Sequence, residues 1–342
     1  MGTKTNIQWT DKTWNPIRGC TRVSEGCRNC YAEAMAARFS GPGQPYEGLA
    51  ERTPSGPRWT GEVAMVPDHL ADPVRWNKPC RIFVNSMSDL FHESLSDTAI
   101  AAVFGVMAAA PHHIFQVLTK RPERARAWFR WLEVAALTSA EAGARFTCER
   151  DPPEAGARRL GLVLQAAQAT APRTPTTCEV HPQLRRASEV LARPWPLPNV
   201  HLGVSVENQA TADARIPVLL QTPAAVRWVS YEPALGPVDF LRVSWPDLWP
   251  VDVLRGGRWE DDKRSFFHGF IQHSDMAKIG WVVVGGESGP DARPCDVEWI
   301  RSTVAACREA LVPCFVKQDS GPKPGTQGRI PDDMWSVKEW PK

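Results

Sequence analysis

Seven short apolar runs, each closed by small polar or charged residues and most separated by a helical pattern, restrict this 342-residue chain to a parallel α/β architecture. The runs are Asn15–Gly19, Arg81–Asn85, Ile114–Leu118, Val200–Ser205, Val226–Ser230, Trp281–Gly285 and Cys314–Lys317. They are nearly continuous rather than alternating, as strands buried on both faces are. Helices are predicted over Tyr31–Phe39, Asp97–Ala109, Glu123–Leu132 (with Pro122 in its first turn), Asn208–Gln221 and Asp296–Glu309. Parallel crossovers of this kind are right-handed. The expected fold is a single parallel (β/α) barrel domain, partial, with six to eight strands. Two stretches break the rhythm and are expected as insertions on its rim. One is 133–198, rich in Ala, Arg and Pro; the other is 241–280, which carries Trp245, Trp249 and Trp259.

The residues just past each strand point to one functional face. Phe83-Val84 runs into Asn85-Ser86-Met87-Ser88-Asp89, and Val117-Leu118 into Thr119-Lys120-Arg121. Gly203-Val204 is followed by Ser205-Val206-Glu207, and Val229 by Ser230-Tyr231-Glu232. The last two runs end in Gly285-Gly286-Glu287-Ser288-Gly289 and in Lys317-Gln318-Asp319. Parallel α/β folds place ligands and catalysis at the carboxyl ends of their strands. The glycine pair lets a backbone approach a ligand closely, although its spacing is that of neither a Walker loop nor a dinucleotide fingerprint.

A glycine-punctuated loop after the first run carries Cys20, Cys27 and Cys30 and has no fourth ligand nearby. Thiolates so grouped hold zinc or an iron–sulfur cluster. Three suit a four-iron cluster that leaves one iron open; a structural zinc site takes four. Other chain-level features narrow the setting. No apolar run reaches the roughly 18 residues of a membrane span, and the first residues lack the apolar stretch of a secretory signal. A cytoplasmic location is expected, with the nine cysteines reduced. The formal charge of +2 does not mark a nucleic-acid binder, yet Lys120–Arg193 holds 13 basic against 8 acidic residues.

The cysteine loop on this scaffold resembles that of the radical S-adenosylmethionine enzymes. The chain is more similar still to a phage-associated three-Cys-motif family that resembles a divergent branch of them. The likeness is carried by Asn6-Ile7-Gln8-Trp9-Thr10, Thr13-Trp14-Asn15-Pro16, Cys30-Tyr31-Ala32-Glu33, Leu118-Thr119-Lys120-Arg121-Pro122, Gly203-Val204-Ser205-Val206-Glu207-Asn208 and Val284-Gly285-Gly286-Glu287-Ser288-Gly289. The resemblance implies that Cys20, Cys27 and Cys30 ligate a 4Fe-4S cluster whose free iron binds S-adenosyl-L-methionine. It further implies that an external electron donor reduces the cluster and that a 5′-deoxyadenosyl radical abstracts hydrogen from a substrate. The substrate is unspecified, with a nucleic acid or nucleotide among the classes it leaves open. Residues expected against the cofactor are Tyr31 beside the loop and, at the strand ends, Asn85, Ser86, Ser88, Asp89, Thr119, Lys120, Arg121, Ser205, Glu207, Glu232, Gly285, Gly286, Glu287 and Lys317.

Two departures stand out. Six residues separate Cys20 from Cys27 where the usual loop has three, and Asn29 precedes Cys30 where an aromatic residue is usual. The family's Gly-Gly-Glu element also follows its second strand, whereas here Gly285-Gly286-Glu287 follows a late one; its amine-binding role is not carried over. The alternative reading is a zinc-stabilised nucleic-acid or protein binding module without redox chemistry, its missing ligands drawn from Cys148 or from Cys178 and His181. Cys80, Cys295, Cys307 and Cys314 read as buried thiols, and His112-His113 as strand-entry residues.

Overall fold

The structure, a computed structural model, describes residues 5–136, 155–171, 184, 187–246, 249–262 and 267–342. Its centre is a seven-stranded, wholly parallel sheet curled into a half-barrel. The strands are β1 (Lys12–Trp14), β2 (Arg81–Val84), β3 (Ile114–Thr119), β4 (Val200–Val206), β5 (Val226–Tyr231), β6 (Trp281–Gly285) and β7 (Cys314–Gln318). They lie side by side in chain order, so each neighbour is reached by one crossover. Six of the seven predicted runs coincide with these strands to within one residue at either end.

The first run does not. Sheet pairing is made by Lys12–Trp14, through Trp14 opposite Val84. Ile17–Arg18 pairs instead with Ala64–Met65, antiparallel, in a separate two-stranded ribbon. Pro16 stands between the two pieces and has no amide hydrogen for a ladder, so the sheet strand must end before it.

Alternation along the strands builds two layers. Ile82, Val84, Phe115, Val117, Leu202, Val204, Val229, Val282 and Val316 face the main core with the helices. These helices are α2 (Asp97–Ala109), α3 (Pro122–Ala135), α4 (Ala155–Thr170), α5 (Gln209–Leu220) and α6 (Val297–Glu309), α1 being Tyr31–Ala36 after the cysteine loop. Phe83, Leu118, Trp228, Trp281, Val283 and Phe315 face the concave side, where Trp9 fills the bottom of the half-barrel. Gly203 belongs there because a Cβ on it would lie 2.5 Å from the Trp228 indole. The helix caps are those the sequence signals. Asn208 and Thr211 form a capping box on α5, and Asp296 accepts from Glu298 N on α6.

The two interrupting stretches are not loose appendages where they are described. From the first, α4 packs on α2 so closely that a Cβ on Gly105 would lie 2.0 Å from the Val163 carbonyl. The second contains a three-stranded antiparallel sheet, Val251–Asp252, Gly257–Asp262 and Phe267–Gln272, which the Trp-rich composition did not announce. Among the described residues no helix is long and apolar enough to cross a membrane.

Candidate functional site

The cysteine loop lies across the carboxyl ends of the strands. It enters through a parallel bridge between Gly19 and Ser88. A 3-10 turn, Glu25–Cys27, comes next, and the loop leaves with Cys30 as the N-cap of α1. Ser86 and Ser88, expected against a ligand, support this approach: Ser86 Oγ donates to Asn15 Oδ1 at 3.1 Å and Ser88 Oγ to the Ile17 carbonyl at 3.0 Å. Asn85 is buried in the left-handed region (φ 59°), which an Asn tolerates, and its side-chain amide makes no hydrogen bond.

Three strand ends grip the loop. At the end of β3, Arg121 donates through Nη2 to the Thr21 carbonyl (3.1 Å) and to Thr21 Oγ1 (2.6 Å), and its Nη1 lies 3.8 Å from Cys20 Sγ. Asp89 and Glu93 hold the guanidinium from behind, at 3.1 Å and 2.8 Å. Asp89 also accepts from Thr119 Oγ1 (2.8 Å) and from the amide of Lys120 (3.0 Å), which locks the β2 and β3 ends together.

At the end of β4, Glu207 is 1% exposed and accepts from Ser24 Oγ at 2.9 Å. Arg215 Nη1 neutralises it at 3.2 Å, with Lys120 Nζ at 3.9 Å. The carboxylate occupies the space a side chain at position 26 would need, since a Cβ on Gly26 would lie 2.3 Å from Glu207 Oε1. At the end of β6, Glu287 accepts from Asn29 Nδ2 at 3.0 Å and from Arg293 through its amide and Nε, both at 2.9 Å. Burial alone would raise the Glu287 carboxyl; the Arg293 contacts, with Asn29, hold it below its ordinary value.

The remaining expected residues do not hydrogen-bond the loop. Ser205 and Ser230 sit opposite one another on β4 and β5, on the concave face. Lys317 of β7 pairs with Glu232 beyond β5. The two hydroxyls are buried, one residue inside the ends of β4 and β5, while Lys120 and that ion pair are partly exposed. Tyr31 is 64% exposed and lies on the outer surface of α1. The glycine pair admits protein rather than ligand: a Cβ on Gly286 would meet Ser320 N and Oγ at 2.4 Å, and Gly286 N donates to the Gln318 carbonyl at 2.9 Å.

The thiols themselves are half-buried. Burial pushes Cys20 up to about 12, with the Asp89 charge adding and Arg121 opposing. Burial raises Cys30 too, against the charge of Lys120. The Cys30 charge adds to the rise at Cys20, and the Cys27 charge to the rise at Cys30. Among the described residues, however, no three His, Cys, Asp or Glu side chains converge closely enough to hold a single metal ion. Cys148, Cys178 and His181 lie outside the described residues.

Several contributors carry no signal of their contacts in the sequence, where Asn29 stands out only as a departure from the pattern the loop resembles. Ser24, Asn29, Arg215 and Arg293 are ordinary loop and helix residues until the fold brings them to Glu207 and Glu287. Glu33 is buried on α1, bound by Arg22 Nε at 3.0 Å and by the Trp59 amide at 2.9 Å, and so ties the loop's exit to the Gly56–Trp59 strand. His113 is structural: Nδ1 faces the Cys80 amide at 3.3 Å and Nε2 the Pro73 carbonyl at 3.1 Å. Neither a curated protein nor a solved structure matches this chain. A family described as protein of unknown function, DUF5131, matches residues 4–330, and the chain belongs to it.

Proposed function

We propose that this protein is a radical S-adenosylmethionine-like iron–sulfur enzyme, with Cys20, Cys27 and Cys30 holding a 4Fe-4S cluster. The observation that carries the reading is a three-thiol loop seated over the carboxyl ends of a parallel half-barrel and gripped by three of them. The donor set fits the group. Three thiols on one loop are the number of protein ligands that a 4Fe-4S cube with one open iron takes. When bound, the cluster supplies the electron that cleaves S-adenosyl-L-methionine, itself replenished by an external donor.

The chain's own residues do the rest. Arg121 offers a cation beside Cys20, and Lys120 one beside Cys30, which favours the thiolate forms that burial opposes. Lys120 offers a partly exposed cation suited to an amino-acid carboxylate. Ser205 and Ser230 offer neutral hydrogen-bonding groups on the concave wall. The substrate remains open, a nucleotide or nucleic acid being one class.

Anaerobically purified and reconstituted protein is expected to be brown, with about four irons and four sulfides per chain. With a strong reductant and S-adenosylmethionine it is expected to release 5′-deoxyadenosine. Cys27→Ala removes both the colour and the product. Colourless protein carrying stoichiometric zinc would overturn the proposal in favour of a zinc-stabilised binding module.

A further inference from the structure

We propose that Arg121, Glu207 and Glu287 are positioning residues, one for each thiol of the trio, rather than contacts for a ligand. The assignment rests on the reading of Cys20, Cys27 and Cys30 as the reactive centre. Arg121 grips Thr21 and touches Cys20 itself. Glu207 takes the hydroxyl of Ser24 and fills the space beside Gly26, the residue before Cys27. Glu287 takes the amide of Asn29, the residue before Cys30.

The distribution of charge agrees. Each glutamate already faces its own arginine, Arg215 at 3.2 Å for Glu207 and Arg293 at 2.9 Å for Glu287. A carboxylate so neutralised has little charge left for a ligand ammonium. The loop's two departures from the usual spacing also gain a cause. Its extra residues include Ser24 and Gly26, and Asn29 replaces an aromatic residue. Those are the points where the glutamates attach.

The test uses the full-length chain without iron, alkylated anaerobically with iodoacetamide, the rate at each cysteine being resolved by mass spectrometry. Asn29→Ala and Glu287→Ala are each expected to speed alkylation of Cys30 about tenfold, the effect of losing one charge-assisted hydrogen bond. Ser24→Ala and Glu207→Ala do the same at Cys27. Each pair combined gives no further increase, because both members cut one contact. Cys20 keeps its rate in all four, as do the core thiols Cys307 and Cys314, which report any general loosening. Gly26→Ala also exposes Cys27, and Glu207→Asp, one methylene shorter, reverses it.

Equal acceleration at every thiol, or none at the named one, would overturn the assignment. On reconstituted protein the same variants are expected to shift the electron paramagnetic signature of the cluster. Should the wild-type chain assemble no cluster, the functional reading fails, while Arg121→Ala, expected to speed alkylation of Cys20 alone, and the rates above still decide the role of the three residues.

Discussion

Three imidazoles carry an acid sensitivity that no motif announces, one of them His92, lowered by burial and by the charge of Arg121. Burial pushes His113 down to about 4, with the neighbouring charge of His112 acting in the same sense, and burial alone pushes His201 down to about 4. Both are therefore neutral in the fold but bind protons once unfolded, near the ordinary value of about 6.5. The unfolded chain holds more protons between those limits, so stability is complete above about 6.5 and is lost as pH falls toward about 4. A thermal melting midpoint lower at pH 5 than at pH 7, on the order of 5 °C, is expected. The lowered carboxyls Asp11, Glu93, Glu287 and Asp319 lose their contribution only as pH falls through their ordinary values of 3.8 and 4.5, beneath the comparison of pH 5 with pH 7. A flat midpoint from pH 5 to pH 7 would contradict it. At this scale the candidate site was legible only on one side of each contact. The thiols and the strand-end Glu207 and Glu287 follow from residue type and place. Their partners Ser24 and Asn29 lie 183 and 258 positions away, and proximity over such spans is not written in a linear pattern.

Among the elements, the parallel strands were read almost to their bounds because continuous apolar runs between helices leave few other structures. The failures have local causes. The first strand was displaced by Pro16, and the antiparallel sheet over residues 251–272 hides in a stretch whose short strands carry charge as well as apolar residues. Helix α4 shows how packing outweighs composition. Gly105 on α2 meets its backbone with no room to spare, whereas a Cβ on Gly161 of α4 would meet only Leu191 Cδ2, at 3.6 Å. Alanine at the two sites should therefore act in opposite directions. Gly105→Ala is expected to cost about 1–3 kcal/mol by forcing the helices apart. Gly161→Ala is expected to gain about 0.5–1 kcal/mol from the lower chain entropy of alanine. Denaturant melts of both variants decide the matter, and equal signs would show that the α2–α4 contact is not tight.

For the whole molecule, the sheet's chain-order topology leaves β1 and β7 as its edges, and the last residues buttress one of them. Lys338 bridges to Phe315, while the Trp340 indole donates to the Trp9 carbonyl at 2.9 Å and packs against Phe315 and Arg81. Trp340→Ala is expected to cost about 2–3 kcal/mol, read as a lower melting midpoint. The same topology sets an order of events during synthesis. The three thiols emerge from the ribosome early, but the glutamate that steadies Cys30 is made 258 positions after Asn29. Until then the trio hangs on an unfinished scaffold. A ribosome-bound chain halted before β6 should leave Cys30 as reactive as a thiol in a free peptide.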